Sequence, residues 1–218
     1  MIIITGASGG LGSEIARLYQ ESGVRVVNIS RRPSKYADTN LICSVSNYEL
    51  LSGVIEQILA MDEPIQALIH TAGVWSEQHI ADIDTQEIQH VMSVNSDGLM
   101  FLTSQLSERI RHDGADILNV ISLAGTIGNK NFALYSASKW AQRGFTKSLQ
   151  DEYADSITRV ISFCPAGMNT DLFAKSGNTN LDTSKWMPVA EVAGLIKHIL
   201  DLPKSIEVSE IILNKKVF

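Results

Sequence analysis

Tyr135 and Lys139 lie four residues apart in a helical pattern from about Ala133 to Tyr153, where Trp140, Ala141, Phe145, Leu149 and Tyr153 recur on shared faces. Residues four apart on a helix sit one above the other, so the phenol and the ammonium project the same way. A free phenol gives up its proton near pH ~10, too high for acid–base work at neutrality. A fixed ammonium beside it favours the phenolate. A tyrosine tuned in this way can give a proton to a carbonyl oxygen or take one from an alcohol. Spacing alone does not separate this pair from two surface residues, so the rest of the chain has to decide.

Around that helix, short apolar runs alternate with amphipathic helical patterns. The runs are Ile2–Ile4, Val24–Ile29, Leu41–Val45, Ala67–His70, Ile117–Ile121, Val160–Phe163 and Ile211–Leu213. The helical patterns cover Gly10–Ser22, Tyr48–Met61, Thr85–His112, Ala133–Tyr153 and Val189–Leu200. This alternation predicts an α/β chain with a Rossmann-like, doubly wound parallel sheet, helices on both faces and three α/β/α layers. The first strand runs directly into Thr5-Gly6-Ala7-Ser8-Gly9-Gly10-Leu11-Gly12, and a helix follows. Glycines let such a turn come close to a pyrophosphate, and the helix N-terminus offers unpaired N–H groups and a positive dipole end. The second strand ends in Ser30-Arg31-Arg32. An acidic residue there would bind ribose hydroxyls and repel a 2′-phosphate, whereas two guanidinium groups suit that phosphate. The reading is NADP(H), with NAD(H) as the rival cofactor.

The chain has 218 residues, 44% of them hydrophobic and 19% charged, with a net charge of −6, which fits one globular domain over residues 1–218. No basic run interleaved with aromatics points to nucleic acid. No apolar run reaches the ~18–20 residues of a membrane span. Cys43 and Cys164 fall in predicted buried strands, which fits a reducing compartment, and a cytoplasmic location is expected. His70, His79, His90, His112 and His198 show no metal-ligand spacing, so no metal is expected. The stretch near residues 171–187 lacks a clear period and reads as a substrate loop.

With these motifs in order, the chain resembles the short-chain dehydrogenase/reductase family in its short, single-domain branch. Gly6, Gly10 and Gly12 match the family's cofactor turn. His70-Thr71-Ala72-Gly73 resembles its Asn-Asn-Ala-Gly segment after the fourth strand, with both asparagines replaced. Asn95, Ser122, Tyr135 and Lys139 match the catalytic tetrad, Ser122 standing thirteen residues before Tyr135. Ser44 occupies the place of an aspartate beside the adenine, and Ala166 that of a glycine after Pro165.

The resemblance implies an NADP-dependent oxidoreductase acting between a carbonyl and a secondary alcohol. In it, Tyr135 is the acid–base and Ser122 bonds the substrate oxygen. Lys139 lowers the Tyr135 pKa and holds the nicotinamide ribose, and Asn95 keeps a water that relays protons to Lys139. The cofactor contacts it implies are Gly6, Ser8, Gly9, Gly10, Leu11 and Gly12; Ser30, Arg31 and Arg32; Ser44 and Val45; Thr71, Ala72 and Gly73; Tyr135 and Lys139; and Pro165, Met168 and Thr170. It further implies a small-molecule substrate and a homodimer or homotetramer built on the helices around Asn95–His112 and Ala133–Tyr153. The substrate pocket is expected between the loops near Ala124–Phe132 and Asp171–Trp186, with Phe132, Leu134, Leu172, Phe173 and Trp186 as apolar walls. Trp75 reads equally as pocket wall or as packing. A regulator that only senses NADP(H) is the alternative from another class, and an NAD-dependent alcohol dehydrogenase the alternative within the enzymes.

Overall fold

The apolar runs become the strands of one sheet. In the computed structural model, which describes residues 1–172, 182, 183 and 185–216, seven strands pair in the order β3-β2-β1-β4-β5-β6-β7. They are β1 (Ile2–Thr5), β2 (Val26–Ser30), β3 (Thr39–Ile42), β4 (Ala67–His70), β5 (Asp116–Val120), β6 (Val160–Pro165) and β7 (Glu210–Leu213). Every pairing is parallel. The strand order therefore reverses between β1 and β4, and the carboxyl edge at that reversal is where this class of sheet binds its ligands.

Alternate side chains of each strand enter two separate cores. Ile3, Val27, Leu68 and Ile117 pack on one face with Leu51 and Val54 of α2 (Tyr48–Leu59), Leu102 and Leu106 of α4 (Gly98–Asp113) and Leu149 of α5 (Ala133–Glu152). Ile2, Ile4, Ile69, Leu118 and Ile161 pack on the other face with Leu11 and Ile15 of α1 (Gly10–Glu21) and Val192 and Ile196 of α6 (Val189–Leu200). The period of two in the strands thus produces the three layers, with every strand of the centre covered on both sides.

Two elements depart from their sequence-based expectation. The third strand ends at Ile42, so Cys43 follows it rather than lying inside it, although it is still buried. The pattern over Thr85–His112 is not one regular helix. It is α3 (Thr85–Met92), then a π-helical turn over Ser93–Asp97, then α4. Gly98 is the physical reason the chain can run on there. A Cβ at this position would meet the Val45 backbone, its carbonyl carbon only 2.9 Å away. Glycine lets α4 lie against the end of the β3 connection.

Candidate active site

The turn after β1 is shaped by two glycines in the left-handed region, Gly6 at φ 83° and Gly10 at φ 53°. Gly12 is needed for a different reason: a Cβ there would stand 2.6 Å from the Gly6 carbonyl oxygen and run into Thr71 Oγ1. Thr71 fills that space because its hydroxyl donates to the Thr5 carbonyl at 2.6 Å, while Thr5 Oγ1 accepts from the Ala72 amide at 3.2 Å. The segment after β4 is thereby fastened to the turn after β1. The N-cap of α1 is Gly9, no side chain caps it, and no acidic residue occupies the first turn. Its N–H groups and positive dipole end face an open cleft, as an anion-binding terminus requires.

That cleft is a cavity of about 1050 Å³ along the carboxyl edge of the sheet. Gly6, Ser8, Gly9, Gly10, Leu11 and Gly12 line it at the turn, and Thr71, Ala72 and Gly73 line it after β4. Ser30 at the end of β2 lines it with Arg31 and Arg32 that follow, Ser44 and Val45 line it after β3, and Pro165 at the end of β6 lines it with Met168 and Thr170 that follow. Ser30 Oγ donates to the Arg32 carbonyl at 2.6 Å and so folds the chain back after β2. The two arginine side chains are exposed and make no ion pair among the described residues. Thr170 comes to the turn itself, its Cγ2 3.6 Å from where a Gly10 Cβ would be. An uncapped helix start and a close-approach glycine turn on one cleft fit the pyrophosphate of a dinucleotide, and the two arginines stand beside it.

Ser122, Tyr135 and Lys139 meet on the wall of the same cavity. Ser122 follows β5, where its Oγ accepts from the Ala124 amide at 3.1 Å, and it stands close enough to the Tyr135 phenol to favour its charged form. Tyr135 and Lys139 are 5% and 4% exposed, on the buried face of α5, and Lys139 Nζ lies 5.7 Å from the centre of the Tyr135 ring. Burial pushes the Tyr135 phenol up to about 12, against a smaller downward pull from Ser122. Burial also pushes the Lys139 ammonium down to about 7. The lowering of Tyr135 that the resemblance implies is therefore outweighed by desolvation in the protein alone. The phenol holds its proton at neutral pH, and Lys139 sits close to the midpoint of its titration.

Asn95 does not line the cavity. Its Oδ1 accepts from the Val74 amide at 2.8 Å, and its Nδ2 donates to the Val74 carbonyl and to Ser138 Oγ, both at 3.0 Å. It reaches Lys139 through Gln142, whose Nε2 donates to the Asn95 carbonyl and whose Oε1 accepts from Lys139 Nζ at 2.8 Å. Sequence reasoning missed Gln142. The available signal was its place three residues after Lys139, on the helix face that carries Tyr135, Lys139 and Thr146.

His70 occupies the position of an asparagine in the family pattern, and it bonds Thr103 Oγ1 through Nε2 at 3.0 Å, tying β4 to α4. Burial pushes it down to about 3, so it is neutral. Trp75 turns out to be a wall of the cavity, its ring 4.5 Å from Tyr135 and 4.7 Å from Phe132. Leu172 and Trp186 line the cavity also. Phe173 and most of the expected substrate loop, residues 173–181 and 184, lie outside the described residues. Among the described residues no group of three or more His, Cys, Asp or Glu side chains is placed to hold a metal ion, and no helix is long and apolar enough to cross a membrane.

The sequence profile of the short chain dehydrogenase family matches residues 1–181. An uncharacterized oxidoreductase of Staphylococcus saprophyticus is 27% identical, over 96% of this chain and 94% of its own length. The zebrafish (Danio rerio) carbonyl reductase family member 4 is 26% identical over 93% of this chain and 92% of its own. Among solved structures, an alcohol dehydrogenase of the archaeon Thermococcus sibiricus in complex with 5-hydroxy-NADP superposes with a TM-score of 0.88 at 19% identity, covering 100% of this chain and 99% of that one. A serine dehydrogenase complexed with NADP+ superposes with a TM-score of 0.85 at 19% identity, covering 97% of this chain and 94% of that one. At these identities the solved structures speak for the fold.

Proposed function

The chain belongs to the short-chain dehydrogenase family and is an NAD(P)-dependent oxidoreductase of CH–OH and C=O groups, and from that premise we propose that it prefers NADP(H) and uses Tyr135 as its general acid–base. The observation that carries the reading is one cavity holding the Gly6–Gly12 turn and the Arg31–Arg32 pair together with Ser122, Tyr135 and Lys139. When bound, NADP(H) supplies or accepts the hydride. The chain's own part is to hold the proton and stabilise charge.

In the reducing direction Tyr135 Oη gives its proton to the carbonyl oxygen, and the Ser122 hydroxyl donates to that oxygen as it gains charge. The raised Tyr135 value keeps the proton loaded at the start of the step. As the phenolate forms, a Lys139 ammonium 5.7 Å from the ring favours it. Trp75 and Phe132 pack the apolar side of this corner. The substrate is a small carbonyl or alcohol compound, and residues 1–218 act as one domain, with the segment near 171–187 as its substrate loop. Self-association as a dimer or tetramer through α4 and α5 follows the family, and Trp140 on α5 is 48% exposed on that side.

Thermal shift tests the cofactor preference. NADPH at equal concentration is expected to raise the Tm of the wild type more than NADH does, because a ligand stabilises by RT ln(1 + [L]/Kd) and the tighter ligand has the smaller Kd. In an Arg31→Ala, Arg32→Ala variant the NADPH advantage shrinks by about tenfold or more in affinity, the scale of lost charge-assisted contacts. Equal shifts by the two cofactors in the wild type would mean no preference and defeat the NADP(H) reading, and a larger shift with NADH would make the enzyme NAD-dependent. An NADPH preference kept intact in the double variant would remove both arginines from the account.

A further inference from the structure

A helix that widens to a π turn releases carbonyl groups from their usual partners. The turn at Ser93–Asp97 does so in the middle of the molecule, and Asn95 at its centre is fully buried. The Asn95 carbonyl is taken by Gln142 Nε2, and Gln142 Oε1 in turn takes Lys139 Nζ at 2.8 Å. Gln142 is 1% exposed. Its amide has one orientation here: a carbonyl can only accept, an ammonium can only donate, so nitrogen must face Asn95 and oxygen must face Lys139. The other bond of Lys139 Nζ is long, 3.4 Å to the Val120 carbonyl.

We propose that Gln142 is a positioning residue of this active site, a fixed amide between the Asn95 carbonyl and Lys139 that holds Lys139 as an ammonium beside Tyr135, in the place where the family resemblance implies a water. The proposal rests on the reading of Tyr135 and Lys139 as the working pair. Its physical content is that the amide oxygen can only accept from Lys139, which favours the charged form of a group that burial disfavours. An amide at neutral pH also passes no proton along, so on this side Lys139 is anchored rather than resupplied. The surroundings leave this work to Gln142. The titratable groups facing Lys139 are Tyr135 on its own helix and Cys164 on β6. Arg143 and Glu210 pair with each other at 2.8 Å beyond Cys164. From the π turn and the segment after β4 come only Asn95 and Gly73, both neutral. No carboxylate pairs with Lys139 among the described residues.

Two substitutions separate positioning from packing. Gln142→Met keeps the bulk and removes the acceptor. Gln142→Ala opens a space walled by the Asn95 carbonyl and Lys139 Nζ, polar enough to take a water that restores the bridge. The Lys139 midpoint is read by NMR on protein carrying 13C-labelled lysine, the resonance being identified by its loss in Lys139→Met. Gln142→Met is expected to lower that midpoint by about one pH unit, and Gln142→Ala to return it towards the wild type. If both variants lose Tm while the Lys139 midpoint stays at its wild-type value, Gln142 is packing and the proposal is overturned. Should Gln142→Met not fold, Gln142→Leu makes the same comparison. Tyr135→Phe run alongside isolates the premise: full activity in that variant defeats the functional reading, while the Lys139 midpoint still decides the role of Gln142.

Discussion

Burying a lysine without a carboxylate partner works against folding, and among the described residues Lys139 has none. Its ordinary value of 10.5 is pushed down to about 7 by desolvation. Below about pH 7 the folded and unfolded chains both carry the proton, and the fold bears the whole penalty. Between 7 and 10.5 the unfolded chain holds a proton that the folded one has released, so stability climbs as pH rises through that window. Lys139→Met removes the titration. Relative to that variant, the wild type is expected to gain on the order of a few kcal/mol between pH 7 and 10.5 in urea unfolding. Parallel pH profiles for the two proteins would mean that Lys139 titrates normally. The same residue is asked to act beside Tyr135, and a stability cost at a working site is the usual exchange.

At the scale of the elements, α1 has to start close to the end of β1 and the segment after β4, and Gly12 sets that distance. Gly12→Ala would put a Cβ 2.6 Å from the Gly6 carbonyl oxygen and against Thr71 Oγ1, a side chain already committed to the Thr5 carbonyl. Either α1 moves outward or Thr71 gives up its bond. Cofactor affinity is expected to fall at least tenfold, roughly 1.4 kcal/mol, with a lowered Tm, by titration calorimetry and thermal melts. Unchanged affinity would show that the turn tolerates the shift. The strands, the turn and the start of α1 were legible in the sequence because apolar runs and glycines are direct consequences of burial and close approach. The π turn was not. Shifting a helix from four-residue to five-residue closure leaves the apolar spacing of Thr85–His112 almost intact, and only Asn95 and Gly98 within it are unusual. Gln142 was hidden for a related reason. A polar residue on a helix reads as solvent-facing until the fold shows that this face of α5, with Ser138, Lys139, Gln142 and Thr146, is turned inward.

For the molecule as a whole, the reversal of strand order between β1 and β4 opens the carboxyl edge, and all the groups of the site are delivered there from different elements: the turn after β1, the arginines after β2, Ser122 after β5 and the Tyr135–Lys139 face of α5. No two of these segments are neighbours in sequence, so their meeting is a property of the sheet topology and not of any local motif. The substrate's identity lay beyond reach of the sequence for the opposite reason. The cavity walls include side chains of connecting segments, such as Trp75 and Trp186, whose positions no periodicity fixes. The proposed role of this assembly is to move a proton through Tyr135 while NADP(H) exchanges hydride. Its most direct test is NADPH consumption across a panel of aldehydes, ketones, quinones and β-keto esters by the wild type and by Tyr135→Phe, with NADPH binding measured for both. The account predicts turnover by the wild type with at least one carbonyl class, a loss of ~10²–10⁴-fold in Tyr135→Phe, and equal cofactor affinity in the two. Equal rates in the two proteins would contradict it and take the proton from another group.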